Sequence, residues 1–296
     1  MFLAIAWGSS FLIMKRGLRS FDYQQIGALR IAFAWFLASL IALRQFRHMK
    51  KRDVWPLLLV GIFGNGIPYF LFPLAITRLD SGLVGVFNSM VPLFTMITGA
   101  LLFALPVTRK QAIGVFIGLA GAVILLQPDT SGDQNMFYAG YAIAASLCYA
   151  LSVNIIARYL SHLKSIAITS LSLLYVGPLC IVYLFASTNF VGIMQTDPIA
   201  WTNLGLIAVL GMVNSALAII AFNVLIKEAS PLFASSVTYL IPLVALAWGV
   251  ADGENIGWIH VIGMMIILLG VYLVNRKRKW RKKEPATHLH AVSNDD

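Results

Sequence analysis

The stretch PIAWTNLGLIAVLGMVNSALAIIAFNVLI, residues 198–226, contains no Lys, Arg, Asp or Glu. A helix needs about 20 apolar residues to cross the hydrocarbon core of a bilayer, where backbone groups must be satisfied within the protein. This stretch therefore predicts a membrane-spanning helix. The whole chain of 296 residues has the same character, because 59% of it is hydrophobic and only 11% is charged. That composition excludes an ordinary soluble enzyme, in which about 25% of residues are charged.

Nine further apolar segments of similar length occur along the chain. Seven of them also lack charged side chains, and these are residues 54–77, 81–108, 111–128, 134–157, 165–196, 229–251 and 255–275. Segment 24–43 contains one cation, Arg30, and segment 1–20 is apolar as far as Met14. Met1 is followed directly by apolar residues instead of the basic segment that begins a signal peptide, so segment 1–20 is predicted to be the first helix. The sequence thus predicts an all-α membrane protein with ten transmembrane helices.

The positive charges of the loops predict the orientation in the membrane, because Lys and Arg in short loops are retained on the cytoplasmic side. With both termini inside, the inner loops and the tail contain 17 Lys and Arg, whereas the outer loops contain four. We therefore expect a multi-pass protein of the inner membrane with both termini in the cytoplasm. The net charge of +10 reflects this topology and not nucleic-acid binding. The basic tail, residues 276–296, is expected to anchor the topology or to contact anionic lipid.

The two halves of the sequence resemble each other. The spacing of Trp7, Arg16 and Leu18 recurs 142 residues later. Displacements of 142 to 150 relate the pairs Trp7/Tyr149, Arg16/Arg158, Leu18/Leu160, Trp55/Trp201, Asn65/Asn214, Pro92/Pro242, Gly114/Gly263 and Gly121/Gly270. We therefore predict two five-helix repeats, residues 1–128 and 134–275. An odd number of spans forces the second repeat to enter the membrane from the opposite side, and such inverted repeats are typical of secondary transporters.

These residues also carry a resemblance to a known family. The run WGSSF at residues 7–11, the pair Leu29 and Arg30, and the prolines and glycines above are similar to the drug/metabolite transporter superfamily, specifically its ten-helix EamA-type exporters. The resemblance implies export of amino acids or related small metabolites. It also shows one departure. The family often has a Gly-Glu pair after the fourth helix of each repeat, and here the second half has Gly253 and Glu254 whereas the first has Ala104 and Leu105.

Polar side chains in the middle of spans are costly in lipid and should face the interior of the bundle. On this ground the predicted substrate-binding residues are Trp7, Ser10, Asn65, Tyr69, Asn88, Tyr149, Ser152, Asn214 and Thr238. The alternative is that these groups form hydrogen bonds between helices. For the glycines Gly114, Gly118, Gly121, Gly263 and Gly270 the predicted role is close helix packing.

Three other residues within spans have two interpretations each. Arg30 either binds a substrate carboxylate or has a structural role, in which it extends toward the interface or caps carbonyls of a neighbouring helix. Pro92 and Pro242 are either gating hinges or static kinks.

The predicted function is secondary transport by alternating access. The sequence has no metal-protease or nucleophile motif and no phosphate-binding loop, so we predict neither an enzyme with catalytic residues nor an ATP-driven pump. A receptor would not need two inverted halves, whereas a uniporter or channel-like facilitator stays open. We expect no metal and no cofactor, and the expected partners are a small-molecule substrate and membrane lipid but no nucleic acid. The substrate, direction, coupling ion and oligomeric state, monomer or larger, are left open.

Overall fold

A computed structural model describes residues 2–45, 49–125, 135–228, 237, 240–254 and 257–275, and every regular element in these ranges is helical. This confirms the all-α prediction. The first half contains α1 (Phe2–Gly17), α2 (Tyr23–Gln45), α3 (Lys51–Ile76), α4 (Ser81–Phe103) and α5 (Arg109–Leu125). The second half contains α6 (Met136–Tyr159), α7 (Ser165–Ser187), α8 (Ala200–Glu228), α9 (Ile241–Ala251) and α10 (Trp258–Asn275). Five of these, α3, α4, α6, α7 and α8, are long and apolar enough to span a membrane by length and composition.

Two predicted spans are not continuous helices. Segment 165–196 is interrupted after α7, because Thr188 is extended and its hydroxyl donates to the carbonyl of Leu184 at 2.6 Å; a short helix, Phe190–Thr196, follows. The helix α4 consists of Ser81–Asn88 and Val91–Phe103, separated by a turn. Segment 229–251 is described as a helix only from Ile241, and residues 276–296 of the basic tail lie outside the described residues.

The prolines of the fourth spans lie at helix starts. Pro92 is in the first turn of the second segment of α4, and Pro242 is in the first turn of α9. A proline is tolerated there because its missing N–H would have no partner within the helix. Pro92 therefore lies directly after the break in α4, and a hinge at either proline stays a prediction.

The helices α5 and α10 pack together and run antiparallel. A Cβ at Gly114 would lie 2.6 Å from the carbonyl oxygen of Gly270, and one at Gly121 would lie 2.9 Å from the carbonyl oxygen of Gly263. Residue numbers thus rise along α5 while they fall along α10. Gly118 has its nearest contact with Leu93 of α4, and its backbone also lies against Gly270. The last helix of one half is therefore inverted relative to the last helix of the other.

A second pair of contacts relates the halves. A Cβ at Gly61 of α3 would lie 2.6 Å from the carbonyl oxygen of Ser172 in α7, and one at Gly211 of α8 would lie 2.7 Å from the carbonyl oxygen of Arg30 in α2. Each half thus places its second helix against a glycine of the other half's third helix. By this contact Ser172 is the structural counterpart of Arg30.

The third helix of each half contains one π-helical turn, which the sequence analysis did not predict. These turns are Gly61–Gly66 in α3 and Met212–Leu217 in α8, and they contain Asn65 and Asn214 respectively. A π-helical turn inserts one extra residue and widens the helix, and such turns are frequent at functional sites. They direct attention to the space between α3 and α8.

Candidate functional site

A cavity of about 80 Å³ lies between the two halves. This volume accommodates several water molecules or part of a small solute. Its walls come from α1, α2, α3, α4, α6 and α8. The lining residues are Trp7, Ser10, Phe11, Met14, Arg30, Val60, Gly64, Asn65, Tyr69, Phe72, Asn88, Val91, Tyr149, Ser152, Val153, Ile156, Ile219, Phe222 and Asn223.

The structure brings most of the predicted site residues together at this cavity. The predicted residues that line it are Trp7, Ser10, Arg30, Asn65, Tyr69, Asn88, Tyr149 and Ser152. Asn214 is not a lining residue, but its side chain donates to the hydroxyl of the lining residue Ser10 at 3.2 Å. Thr238 lies outside the described residues. A role of these residues in substrate binding stays a prediction.

Aromatic rings form much of the wall. Trp7 packs edge-on against Phe222 with ring centroids 5.0 Å apart, and Phe11 packs edge-on against Phe72 at 5.6 Å. Phe72 also lies 5.6 Å from Tyr149. These rings come from both halves, so the cavity has an apolar wall that closes across the interface between the halves.

Arg30 is the cation of this cavity and is only 3% exposed. Its Nε donates to the hydroxyl of Ser215 at 2.8 Å, and its guanidinium lies 3.7 Å from the ring centroid of Tyr69. The described residues place no carboxylate within 4.0 Å of its nitrogens. A charged side chain in the centre of a span costs at least about 2.5–3.5 kcal/mol, which the stacking on Tyr69 offsets by about 0.5–2 kcal/mol. Arg30 is thus a buried cation that this part of the chain does not neutralise.

The equivalent asparagines of the two π-helical turns have different environments. The amide of Asn214 donates to the carbonyl of Ala6 at 2.6 Å, and its backbone carbonyl accepts from the indole of Trp7 at 2.9 Å. The carboxamide oxygen of Asn65 is buried and has no hydrogen-bond partner among the described residues. Asn214 therefore ties α8 to α1, whereas Asn65 leaves an acceptor unused beside the cavity.

Two other lining asparagines also have an unused acceptor. In the part of the chain that the structure describes, the carboxamide oxygens of Asn88 and Asn223 are buried without a partner, although the amide of Asn223 donates to Thr169 at 2.9 Å. Asn223 is not among the site residues predicted from the sequence. The signal that identifies it is a lone amide within an apolar span, the same rule that selected Asn65.

An ion-paired cluster lies at one end of the bundle, where α1 ends. The ammonium of Lys15 lies 2.8 Å from a carboxylate oxygen of Glu254 and 2.9 Å from one of Asp252, which also pairs with Arg16 at 3.2 Å. Glu254 additionally accepts from the hydroxyl and backbone N–H of Ser81 and from a second N–H at the start of α4. We call this group the Lys15 cluster. It joins the second half to α1 and α4.

The Lys15 cluster lowers the pKa values of its two carboxyl groups. Burial would raise the pKa of Glu254, but the hydrogen bonds from Lys15, Ser81 and the following N–H outweigh burial, and the pKa lies below its ordinary value. The hydrogen bond from Lys15 likewise lowers the pKa of Asp252 against the opposing effect of burial, and Arg16 lowers it further. Both groups are therefore ionised at neutral pH. The Gly-Glu pair of the second half thus supplies an acid at one end of the molecule.

The opposite end of the bundle, where α6 ends, carries a smaller contact. His162, after α6, lies 3.1 Å from a carboxylate oxygen of Asp53 at the start of α3. At the Lys15 end the corresponding contact is neutral, because Asn203 at the start of α8 donates to the hydroxyl of Ser20 at 2.7 Å. The displacements between these residues, 142 for His162 and Ser20 and 150 for Asn203 and Asp53, match those of the sequence repeat.

Comparison with protein families gives a match over nearly the whole chain. A model of the EamA-like transporter family matches residues 1–127 and 136–276. Its normal architecture of ten transmembrane helices in two repeats agrees with the predicted fold class. A solved crystal structure of a protein has a TM-score of 0.64 to this chain at 17% identity and covers 93% of this chain and 94% of its own, which shows a shared fold.

Several curated relatives are similar over most of their length. An uncharacterized transporter of Archaeoglobus fulgidus is 25% identical over 92% of this chain and 95% of its own length. The uncharacterized inner membrane transporter YedA of Escherichia coli (strain K12) is 27% identical over 92% of this chain and 88% of its own. A probable amino-acid metabolite efflux pump of the same organism is 22% identical over 95% of this chain and 94% of its own.

Proposed function

The chain belongs to the EamA-like transporter family, and on that premise we propose that it moves small metabolites across the inner membrane by alternating access. The family consists of multi-pass membrane transporters and not of enzymes. We place the substrate in the cavity between the halves, and we take the substrates to be amino acids or related compounds that leave the cell.

The cavity is the observation that carries this proposal. It lies where the two halves meet, and both halves contribute its polar and aromatic lining. In transporters with inverted repeats the substrate binds at such an interface, and exchange of conformations between the halves exposes it to each side in turn. The antiparallel packing of α5 on α10 supports the inverted relationship.

The names of the relatives support the proposed substrate class and the inner membrane as the location. One of them is named a probable amino-acid metabolite efflux pump, and another an inner membrane transporter. The aromatic wall of the cavity suits substrates with an apolar part. The direction of transport, out of the cell, follows the same relative and is part of the proposal.

The full chain reconstituted in liposomes tests the proposal. We expect uptake of a radiolabelled amino acid or related metabolite to accelerate when the liposomes are preloaded with unlabelled compound, because a carrier returns faster when loaded. Tyr149→Ala, in the cavity, should lower this exchange, whereas Tyr272→Ala should not, because Tyr272 is 56% exposed on α10 and does not line the cavity. If the flux reaches channel rates and preloading does not accelerate it, the protein is a channel-like facilitator and not a carrier.

A further inference from the structure

The guanidinium of Arg30 has unused hydrogen-bonding capacity. It presents five N–H donors, of which Nε donates to the hydroxyl of Ser215 at 2.8 Å. One terminal nitrogen faces the sulfur of Met14 at 3.7 Å, which is a weak acceptor. The other contact within the described residues is the ring of Tyr69 against the guanidinium face. An acceptor that binds Arg30 must therefore approach the edge of the guanidinium.

The location of Arg30 makes such an acceptor necessary. The side chain is 3% exposed, it lines the cavity, and no described carboxylate pairs with it. A guanidinium binds a carboxylate through two parallel hydrogen bonds, and this geometry is stronger in a dry site than in water. The natural occupant of the free edge is therefore a carboxylate brought by the substrate.

The counterpart of Arg30 in the second half is not a cation. Ser172, which makes the equivalent backbone contact, is fully buried and donates its hydroxyl to the carbonyl of Thr169 at 3.1 Å. The described part of the cavity therefore contains a single guanidinium.

The unused acceptors beside the cavity complement this cation. Asn65, Asn88 and Asn223 each have a carboxamide oxygen to which no described residue donates. A buried acceptor without a hydrogen bond is unfavourable, and an N–H donor of a ligand relieves it. The cavity thus combines one donor group for a carboxylate with several acceptors for an amine.

We propose that Arg30 binds the substrate carboxylate and selects molecules with a free carboxylate over neutral amides and simple amines, with the three asparagines accepting from the substrate amine. This proposal rests on the proposed function, because it assigns the chemistry of the same cavity. Cationic compounds without a carboxylate are then poor substrates, since Arg30 repels them.

Four small probes with one aromatic ring separate these contributions: L-phenylalanine, L-phenylalaninamide, phenethylamine and 3-phenylpropanoate. Binding to the purified full chain is measured by calorimetry. The wild-type protein should bind L-phenylalanine more tightly than the amide and the amine. Loss of hydrogen bonds to a charged group, in Arg30→Gln, should weaken binding of both carboxylates by about 10- to 100-fold and leave the amide and the amine unchanged or improved. Weaker binding of 3-phenylpropanoate than of L-phenylalanine would support the asparagine contribution.

The matched control is Arg78→Gln, which removes an exposed arginine in the loop after α3 that does not line the cavity. It should leave all four affinities unchanged. Should Arg30→Gln fail to fold, Arg30→Lys decides, because it keeps the charge but loses the fork and should still lower the preference for acid over amide. An unchanged preference in the folded variant overturns the proposal, as does a wild-type protein that binds the amide as tightly as the acid or binds none of the four.

Failure of this proposal and failure of the proposed function are distinguishable. If the wild-type protein performs exchange in liposomes but an Arg30 variant keeps the preference for acids, the protein is a transporter and Arg30 does not select the carboxylate. Absence of exchange for any metabolite removes the transporter itself.

Discussion

The C-terminal ends of α4 and α9 have similar left-handed turns and different side chains. After α4, Ala104 has a φ of 53° and the N–H of Leu105 donates to the carbonyl of Gly99 at 3.0 Å. After α9, Gly253 has a φ of 83° and the N–H of Glu254 donates to the carbonyl of Gly249 at 2.9 Å. Both helices thus end in a left-handed residue followed by a hydrogen bond back into the helix.

The side chains at these two turns differ in burial and in their contacts. Glu254 is buried in the Lys15 cluster, whereas Leu105 is 49% exposed. Arg158, the counterpart of Arg16, forms none of the ion pairs of the described residues. Two related turns with similar backbones thus carry different contacts: an ion pair after α9 and an exposed leucine after α4. Under the proposed alternating-access mechanism, opening of that end would separate Lys15 from Glu254 and Asp252.

The largest expected effect comes from removing the buried carboxylate of the Lys15 cluster. Glu254→Gln removes a buried carboxylate that accepts from Lys15, Ser81 and a backbone N–H, and it should lower the free energy of unfolding by about 2–3 kcal/mol. Denaturant titration in lipid or detergent micelles measures this. Glu228→Gln is the control, because Glu228 is an exposed carboxylate at the end of α8, and it should stay within about 0.5 kcal/mol of the wild type. Equal losses in the two variants would remove the special role of the cluster.

Low pH should weaken the ion pairs of the Lys15 cluster. A carboxyl group whose pKa is lowered in the folded protein stabilises it above its ordinary pKa, and this stabilisation is lost as the pH falls through the lowered value. The stability advantage of the wild type over Glu254→Gln should therefore be constant near neutral pH and shrink below about pH 4. Unfolding of both proteins across this range provides the measurement. An advantage that grows on acidification would contradict the direction of the pKa shift.

The two equivalent asparagines sharpen the comparison within the cavity. Asn214→Ala should cost about 1–3 kcal/mol of stability, because it removes the hydrogen bonds from α8 to the carbonyl of Ala6 and the hydroxyl of Ser10. Asn65→Ala should change stability little or increase it, because it removes a buried acceptor that no residue in the described ranges satisfies. It should nevertheless reduce substrate exchange in liposomes. Stability and exchange are measured on both variants. A larger stability loss in Asn65→Ala than in Asn214→Ala would refute the assigned difference.

The smallest expected effect concerns the two turns themselves. Gly253→Ala places a Cβ on a left-handed residue and should destabilise by about 1 kcal/mol, whereas Ala104→Gly relieves that strain and should stabilise by up to about the same amount. The same unfolding assay applies to both variants. Changes of equal sign would show that the two turns are not equivalent.

Much of the site was predictable because membrane burial makes lone polar groups conspicuous. Asn65, Tyr69 and Ser152 were found by that rule, and the structure places them at one cavity. Asn223 was not predicted, although the same rule applies to it. The break after Ser187 was not predicted because the segment stays apolar beyond it. The π-helical turns gave no hydropathy signal, since an extra residue in a turn leaves the apolar composition unchanged.

The sequence by itself determined the spans and their duplication, because hydropathy and residue spacing are properties of the chain in order. Only the tertiary structure decided which polar groups are satisfied. The contacts of Arg30 with Ser215, of Asn214 with Ala6 and of Lys15 with Glu254 join residues that are 185 to 239 positions apart. Such pairs depend on how inverted helices approach one another. Composition places each group in the membrane interior, and its partner is set by the three-dimensional packing of the two halves.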